Sequence, residues 1–128
     1  MKIRNWLQCP SSLTHGNIIK REILSKKDPN QPDKEGAIFV HIDSFSRCYL
    51  EPLIASIPTA FAERQLVFYI VDGEGIFEAG DLKREVREGD GIIVPPGLAH
   101  VLTNAANAPL EFLLLEEVVP EGVVPPRK

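Results

Sequence analysis

His100 is the residue whose type and setting most suggest chemistry. It lies near the end of GDGIIVPPGLAHVLTN, the stretch from Gly89 to Asn104. An imidazole can bind a metal ion, transfer a proton or accept a hydrogen bond, because its ordinary pKa of about 6.5 lies near neutral pH. Pro95 fixes φ and Gly97 tolerates a positive φ, so the PPG segment predicts a tight turn that leads into a strand at His100.

Three roles stay open for His100. Side chains alternate between the faces of a strand, so Leu102 and Asn104 would share the face of His100. The imidazole could belong to a metal-free ligand pocket, where it bonds to Asn104, to a backbone group or to water. It could instead pack as an ordinary core residue, or it could bind a metal.

The composition argues against several function classes. Fourteen basic and eighteen acidic residues give a formal net charge of −4, with no basic run longer than two residues. We therefore expect neither nucleic acid nor a membrane as a partner. The first residues lack the apolar region of a signal peptide. Cys9 and Cys48 match no zinc-binding spacing, which indicates reduced thiols in a cytoplasmic protein.

The elements that would position His100 are predicted to be strands. From Ala37 onward, short apolar runs recur between turns rich in Gly, Asp and Pro, as in all-β sandwiches and barrels. The runs LVFYIV and FLLL are apolar at consecutive positions, which fits strands covered on both faces or short buried helices. Their shortness, and the β-branched and aromatic residues of the first run, favour strands. Around Val86, the charged run KREVREGD indicates an exposed strand.

The chain divides into three predicted parts. Residues 1–36 form an N-terminal extension and a polar loop, SKKDPNQPDKEG. In this extension GNIIKREILSK fits a strand or one short helix, and we interpret it as a strand. Residues 37–118 form the β-barrel. Residues 119–128 form a Pro-rich tail that cannot continue as a central strand.

The spacing of Gly89, Pro95, Gly97, His100 and Asn104 resembles the second motif of the cupin family. LVFYIVDGEG resembles the end of that family's first motif, and His15-Gly16 and APLEFLLLEEV also have counterparts in small single-domain cupins. The resemblance covers roughly residues 36–118. It implies an all-β double-stranded β-helix, a jelly-roll barrel with a short N-terminal extension. It also implies a homodimer and a motif histidine that points into the lumen.

The first motif departs from the family pattern. The family supplies His-x-His and a glutamate there, with the glutamate seven residues before Gly-x-Gly. Counted back from Gly73, the glutamate falls on Leu66. The histidines fall on Ala60 and Ala62, or on Thr59 and Phe61 with the longer spacer. Three of the four usual metal ligands are therefore absent, and we expect no metal and no other cofactor.

A rebuilt metal site is the alternative. The other histidines are His15 and His41. If His41 and Glu63 both reached His100, two imidazoles and one carboxylate could hold a metal ion. For acid–base chemistry without a metal, the nearby polar partners are Gln65, Glu63 and Tyr69.

The sequence favours a metal-free protein that binds a small organic ligand in the barrel lumen. The alternatives are an enzyme and a scaffold whose barrel is filled by side chains. The enzyme would be an isomerase or epimerase with His100 as acid–base, or an oxygenase or decarboxylase with a remodelled metal site. The expected pocket residues are His100, Leu66, Phe68, Ala60, Ala62, Leu102, Asn104 and Gln65.

Overall fold

A computed structural model describes residues 1–119, so the predicted tail lies almost wholly outside the described residues. The described part has one short 3-10 helix, Trp6–Gln8, and eleven strands. No helix in residues 1–119 is long and apolar enough to cross a membrane. The strands are β1 Ser11–Thr14, β2 Ile18–Lys26, β3 Ala37–Phe39, β4 Ile42–Leu50, β5 Ile54–Ala55, β6 Arg64–Asp72, β7 Glu74–Ala79, β8 Leu82–Arg87, β9 Gly91–Val94, β10 His100–Asn104 and β11 Leu110–Val118.

The strands form two sheets that enclose one core. The larger sheet has the order β1-β2-β4-β11-β6-β9, with β3 parallel to β2, and the smaller has the order β5-β10-β7-β8. Apolar residues from both sheets fill the space between them, and Phe68, Phe77 and Phe112 are the largest. The prediction of an all-β jelly-roll barrel is confirmed.

Alternation along the two central strands decides what faces the interior. On β4 the buried positions are Ser44, Ser46, Cys48 and Leu50, and on β11 they are Leu110, Phe112, Leu114 and Glu116. The register pairs Ser44 with Glu116 at one end of the barrel and Leu50 with Leu110 at the other. The interior therefore has a polar end and an apolar end.

The two runs of consecutive apolar residues are strands, as predicted, but each buries one face only in the described chain. On β6, Leu66 and Phe68 are fully buried, whereas Tyr69 is 47% exposed. On β11, Leu113 and Leu115 are half-buried on the outer face. On β6 and β11 the outer face of the large sheet is therefore apolar and only partly covered by residues 1–119, whereas on β2 and β4 Trp6 lies over Arg21 and Arg47. The charged strand β8 is exposed except at Val86, as predicted.

The N-terminal residues belong to the barrel itself. GNIIKREILSK contains β2, which confirms the interpretation as a strand, and β2 pairs along most of its length with β4. The polar loop spans residues 27–36. Residues 1–36 are therefore more than an appended extension, because β1 and β2 complete the large sheet and bring their connecting turn to the interior.

Candidate functional site

A histidine pair lies in the barrel interior. His100 begins β10, and its Nε2 lies 2.8 Å from Nε2 of His15, which comes from the turn between β1 and β2. Both side chains are buried. The other ring nitrogens are also bonded: His100 Nδ1 lies 2.9 Å from the Leu98 carbonyl oxygen, and His15 Nδ1 lies 3.0 Å from Thr14 Oγ1.

These partners fix the tautomers of both neutral rings. A carbonyl oxygen only accepts, so His100 Nδ1 carries the proton and its Nε2 has a lone pair. His15 Nε2 must then be the donor, and His15 Nδ1 accepts from the Thr14 hydroxyl. One directed chain results, in which Thr14 donates to His15, His15 to His100, and His100 to the Leu98 carbonyl.

Aromatic side chains surround the pair. Phe77 stacks on His100 with ring centroids 5.8 Å apart and an interplanar angle of 10°. Phe68 meets both imidazoles edge-on, at 5.8 Å from His15 and 5.9 Å from His100. Phe61 closes the other side of His15 at 5.4 Å. The pair is therefore held in an apolar environment that disfavours charge.

Burial keeps both rings neutral. The pKa of His15 falls from 6.5 to about 4, mainly through burial and then through the positive charges of His100 and Lys20, against the opposing effect of Glu116. Burial also lowers the pKa of His100, although the hydrogen bond to the Leu98 carbonyl opposes this effect. At neutral pH the interior therefore holds two uncharged imidazoles with defined donors and acceptors.

The backbone around His15 is built to present this side chain. His15 has φ of 54° and Gly16 has φ of 81°, so the turn uses the left-handed region twice. A Cβ at Gly16 would lie 2.3 Å from the Ile57 side chain. The His15 carbonyl accepts a hydrogen bond from the Ile57 N–H at 2.9 Å. A non-glycine residue with positive φ is uncommon, and here it directs an imidazole into the interior.

On the other side, a turn positions His100. Gly97 has φ of 82°, as the PPG segment predicts. The His100 N–H donates to the Thr59 carbonyl at 3.0 Å, and Thr59 donates back at 3.2 Å. These two hydrogen bonds fix the start of β10 and thereby place the His100 imidazole beside Phe77.

A buried ion cluster lies at the polar end of the interior. Glu116 is 1% exposed and accepts from Lys20 Nζ at 2.7 Å, Ser44 Oγ at 2.8 Å and Arg64 at 3.0 Å. Burial raises the pKa of Glu116, but the opposing effects of Lys20, Ser44 and Arg64 together hold it below 4.5. The cluster also affects the pKa of His15, so it shares the interior with the histidine pair.

Ser46 lies between Ser44 and Cys48 on the inward face of β4. It is fully buried, and its hydroxyl has no hydrogen-bond partner among residues 1–119. A buried hydroxyl normally has a partner, because leaving it without one costs about 1–3 kcal/mol. The hydroxyl is enclosed by packed side chains, which leave it without a partner.

Cys48 follows on the same face, where burial raises the pKa of its thiol to about 12. The thiol therefore stays protonated at neutral pH and is a poor nucleophile.

The structure brings part of the predicted pocket together. His100, Leu66, Phe68, Leu102 and Asn104 are all buried. Asn104, however, does not bond to His100: its side chain donates to the carbonyls of Leu50 and Ala108 at 3.0 and 2.9 Å. It shapes the loop after β10 and does not contact the imidazole.

Four other predicted residues lie outside the interior. Ala60, Ala62, Glu63 and His41 are exposed. Counting from the family motif treats residues 59–63 as the start of an inward-facing strand, but β6 begins only at Arg64. The proposed ligand set of His41, Glu63 and His100 is therefore not formed.

The polar partners expected from β6 also face away. Tyr69 is exposed, and Gln65 lies on the face of β6 opposite to Leu66. The second polar group beside His100 is instead His15. The signal for His15 was the glycine that follows it, because such a pair favours a turn. Sequence spacing, however, does not reveal a contact between residues 85 positions apart.

A divalent metal, as the cupin resemblance would suggest, does not fit the residues around His100. The pair offers two ring nitrogens, and both distal nitrogens already have partners. Phe61, Phe68 and Phe77 supply no lone pair at the other sides. Within residues 1–119, no three His, Cys, Asp or Glu side chains group closely enough to hold a metal ion.

The sequence matches a known family model over part of its length. Residues 55–116 match the model described as "Cupin domain". The uncharacterized protein MJ1618 of Methanocaldococcus jannaschii is 38% identical over 47 residues. That match spans 37% of this chain and 38% of the archaeal protein.

Similar solved structures share the fold at low identity. A predicted oxalate decarboxylase from Thermotoga maritima is 18% identical, with a TM-score of 0.75 over 92% of this chain and 100% of its own. The polyketide cyclase RemF from Streptomyces resistomycificus is 16% identical, with a TM-score of 0.70 over 98% of this chain and 82% of its own. KdgF from a Halomonas species is 11% identical, with a TM-score of 0.67 over 90% of this chain and 91% of its own.

Proposed function

We propose that this protein, which carries a cupin domain over residues 55–116, binds a small organic ligand in its barrel interior without a metal ion. The ligand contacts the polar end, next to the histidine pair of His15 and His100. The observation that carries the proposal is the fully buried Ser46 hydroxyl, which lacks a partner in residues 1–119 although it faces the interior. A ligand oxygen would satisfy it once the side chains packed around Ser46 move to admit the ligand.

The histidine pair supports the metal-free part of the proposal. In the second motif His100 is the expected ligand, but its Nε2 lone pair already accepts a hydrogen bond from His15. Holding a metal would require His15 to give up this bond and further ligands to be recruited. The surroundings point the same way, since a metal cation would sit among three phenylalanines that offer no ligand atom in place of water.

A second candidate is acid–base catalysis without a metal. The supporting observation is the directed chain from Thr14 through both imidazoles to the Leu98 carbonyl. If a ligand displaced His15, the Nε2 lone pair of His100 would become a base in an apolar site. The names polyketide cyclase and predicted oxalate decarboxylase, given to two fold neighbours, are compatible with small organic substrates.

Native mass spectrometry tests the proposal together with elemental analysis. Protein purified without chelator should carry less than stoichiometric zinc, iron, manganese and nickel. It should retain a small organic molecule that denaturation releases. Stoichiometric metal that is lost in a His100→Gln variant, but not in the exposed His41→Gln, would contradict the metal-free proposal. An interior that retains nothing and takes up no metabolite from an extract would favour the filled-barrel scaffold.

The homodimer and the cytoplasmic location remain predictions. The apolar outer face of the large sheet, which includes Tyr69, Ile93 and the half-buried Leu113 and Leu115, supports pairing with a second copy. Light scattering after size-exclusion chromatography should give twice the 14.2 kDa of one chain. Tyr69→Glu should shift it towards the monomer, and a dimer that this change leaves intact would place the interface elsewhere.

A further inference from the structure

The N-terminal arm, residues 1–10, is fastened to one half of the outer face of the large sheet. The Trp6 ring centre lies 5.7 Å from the Arg21 guanidinium on β2 and 4.8 Å from that of Arg47 on β4. Arg21 also donates to the Leu7 carbonyl oxygen at 3.2 Å. The arm therefore covers β2 and β4 and stands above the rest of this face as a ridge.

The other half of the face, formed by β11, β6 and β9, is a bare strip. Tyr69 on β6 and Ile93 on β9 are exposed there, and Ile3 and Leu7 are exposed on the arm. Contiguous exposed apolar groups on a folded domain indicate a contact with another protein. The ridge and the strip are thus two apolar surfaces that lie side by side on one face.

The order of the strands makes this face self-complementary. β11 has β4 and β2 on one side and β6 and β9 on the other. A two-fold axis that runs along β11, between two copies that face each other, places β4 of each copy opposite β6 of the other and β2 opposite β9. The ridge of each copy then lies over the bare strip of its partner. Because twisted sheets diverge away from their line of contact, there is room for the arms at both flanks.

The register of the strands predicts which side chains meet. Tyr69 lies in one row across the sheet with Leu113, Arg47 and Arg21. The hydrogen bond from Arg21 holds Leu7 at this row. Rotation about an axis along β11 keeps each row at its own height, so Leu7 of one copy lies over Tyr69 of the partner subunit.

The start of the arm aligns with a second row. Ile93 lies in the row of Phe45 on β4. Arg4 donates to the carbonyl oxygen of Ile23, which lies on β2 beside that row. Ile3 directly precedes Arg4, so the same axis brings it over Ile93 of the partner subunit.

The charges of the two surfaces are also complementary. Residues 1–10 contain Lys2 and Arg4 and no acidic residue. On the strip, Glu117 lies two residues beyond Leu115 on the outer face of β11, and it forms no ion pair within residues 1–119. A basic arm that lies over an acidic strip favours this arrangement over one in which two arms face each other.

From these observations we infer that a second copy of this chain covers the bare strip. Each copy seats its N-terminal arm on the other, with Leu7 against Tyr69 and Ile3 against Ile93. This arrangement rests on the homodimer proposed above and assigns the surfaces that form it.

Disulfide trapping tests the contact between Leu7 and Tyr69 directly. The native thiols of Cys9 and Cys48 are buried, so only the introduced cysteines should react. Leu7→Cys/Tyr69→Cys, oxidised where light scattering gives twice 14.2 kDa, should run as a covalent dimer on a non-reducing gel. The matched control is Leu7→Cys/Leu82→Cys, which should run as a single chain because the exposed Leu82 lies on β8 of the small sheet.

Dissociation of the dimer on dilution gives a second measurement. Leu7→Asp and Ile3→Asp should each weaken the dimer about tenfold or more, because each places a charge in an apolar contact that the two-fold axis repeats. Leu82→Asp should leave the dissociation constant unchanged. All three side chains are exposed in a single copy, so the changes should leave the unfolding of the monomer unchanged.

The possible failures are distinguishable. A dimer that Leu7→Asp does not weaken, and that Leu7→Cys/Tyr69→Cys does not trap, would keep the homodimer and remove the arm from its interface. A mass of 14.2 kDa at every concentration would overturn the homodimer and the seated arm together. If Tyr69→Cys in such a monomer reacts with a water-soluble maleimide only after residues 120–128 are removed, the last residues of the same chain cover the strip instead.

Discussion

His15 Nε2 donates a hydrogen bond to His100 Nε2 across 2.8 Å, in the part of the barrel interior where the second-motif histidine projects. The two rings come from residues 85 positions apart in the chain. Because each ring has a second partner, the pair is satisfied without charge and in one proton arrangement. The barrel interior is thus organised by a hydrogen bond between neutral side chains.

The pair should be energetically coupled. His15→Ala leaves the buried Nε2 of His100 without its donor and opens a cavity, so it should lower the free energy of unfolding by about 3 kcal/mol. His100→Ala should cost a similar amount. The double variant should cost about 1–2 kcal/mol less than the sum, because each single change strands the other ring. Urea unfolding measures all three values.

The control cycle uses an exposed histidine. His41 is exposed and is not part of the pair. His41→Ala combined with His100→Ala should give additive changes. Additivity in the His15–His100 cycle as well would show that the two rings do not interact.

Stability should fall as the pH drops from 6.5 towards 4. An unfolded chain protonates His15 near its ordinary value of 6.5, whereas the folded chain does so only at about 4. The unfolded state binds more protons in this interval, so acid favours unfolding, by up to about 3 kcal/mol. His100, whose pKa is also lowered, acts in the same direction.

Glu116 contributes to the pH dependence of stability in a different pH range from the histidines. Its pKa lies below 4.5, so its contribution is present above 4.5 and is lost below it. The slope of unfolding free energy against pH between 4.5 and 6.5 should therefore become shallower in His15→Gln and stay unchanged in His41→Gln. A wild-type slope in His15→Gln would show that His15 is not held neutral by the fold.

Ser46→Ala should stabilise the free protein. The change removes a buried hydroxyl that has no partner in residues 1–119, so unfolding should become about 1 kcal/mol less favourable. Ser44→Ala is the matched comparison, because Ser44 donates to Glu116 at 2.8 Å. That variant should lose about 1–2 kcal/mol. If Ser46→Ala lowered the free energy of unfolding as much as Ser44→Ala, in thermal or urea unfolding, Ser46 would have a structural partner.

Glu116→Gln should destabilise strongly. It leaves Lys20, whose side chain is 14% exposed, and the half-buried Arg64 without the carboxylate that holds both. Removing one member of a buried pair costs about 3–5 kcal/mol. The control is Glu111→Gln. Glu111 forms an ion pair with Arg47, and their side chains are 29% and 23% exposed, so this pair should contribute less than about 1 kcal/mol. Similar effects of the two changes would argue that the Glu116 cluster is hydrated.

The fold was predictable because its strands and turns follow from patterns among neighbouring residues. The turn at Gly97, the exposed strand around Val86 and the apolar runs of β6 and β11 each follow from neighbouring residues. What failed was the register of residues 59–63, where counting along a motif assumed a strand that begins later. Ala60 and Ala62 are exposed for that reason.

The site was predictable only in part. His100, Leu66, Phe68 and Leu102 follow from strand alternation within one motif. The pairing of His100 with His15 depends on the order of strands in the large sheet, which brings the β1–β2 turn over the interior. The Lys20–Glu116 pair joins residues 96 positions apart, and no local pattern specifies it.

The protonation of the two rings tests the account most directly. A long-range proton–nitrogen NMR spectrum of uniformly labelled protein at neutral pH reports which nitrogen of each imidazole carries the proton. We predict a neutral His100 protonated at Nδ1 and a neutral His15 protonated at Nε2, both unchanged after a chelator is added. A His100 protonated at Nε2, a charged ring, or ring signals that a chelator shifts would contradict the neutral, metal-free pair.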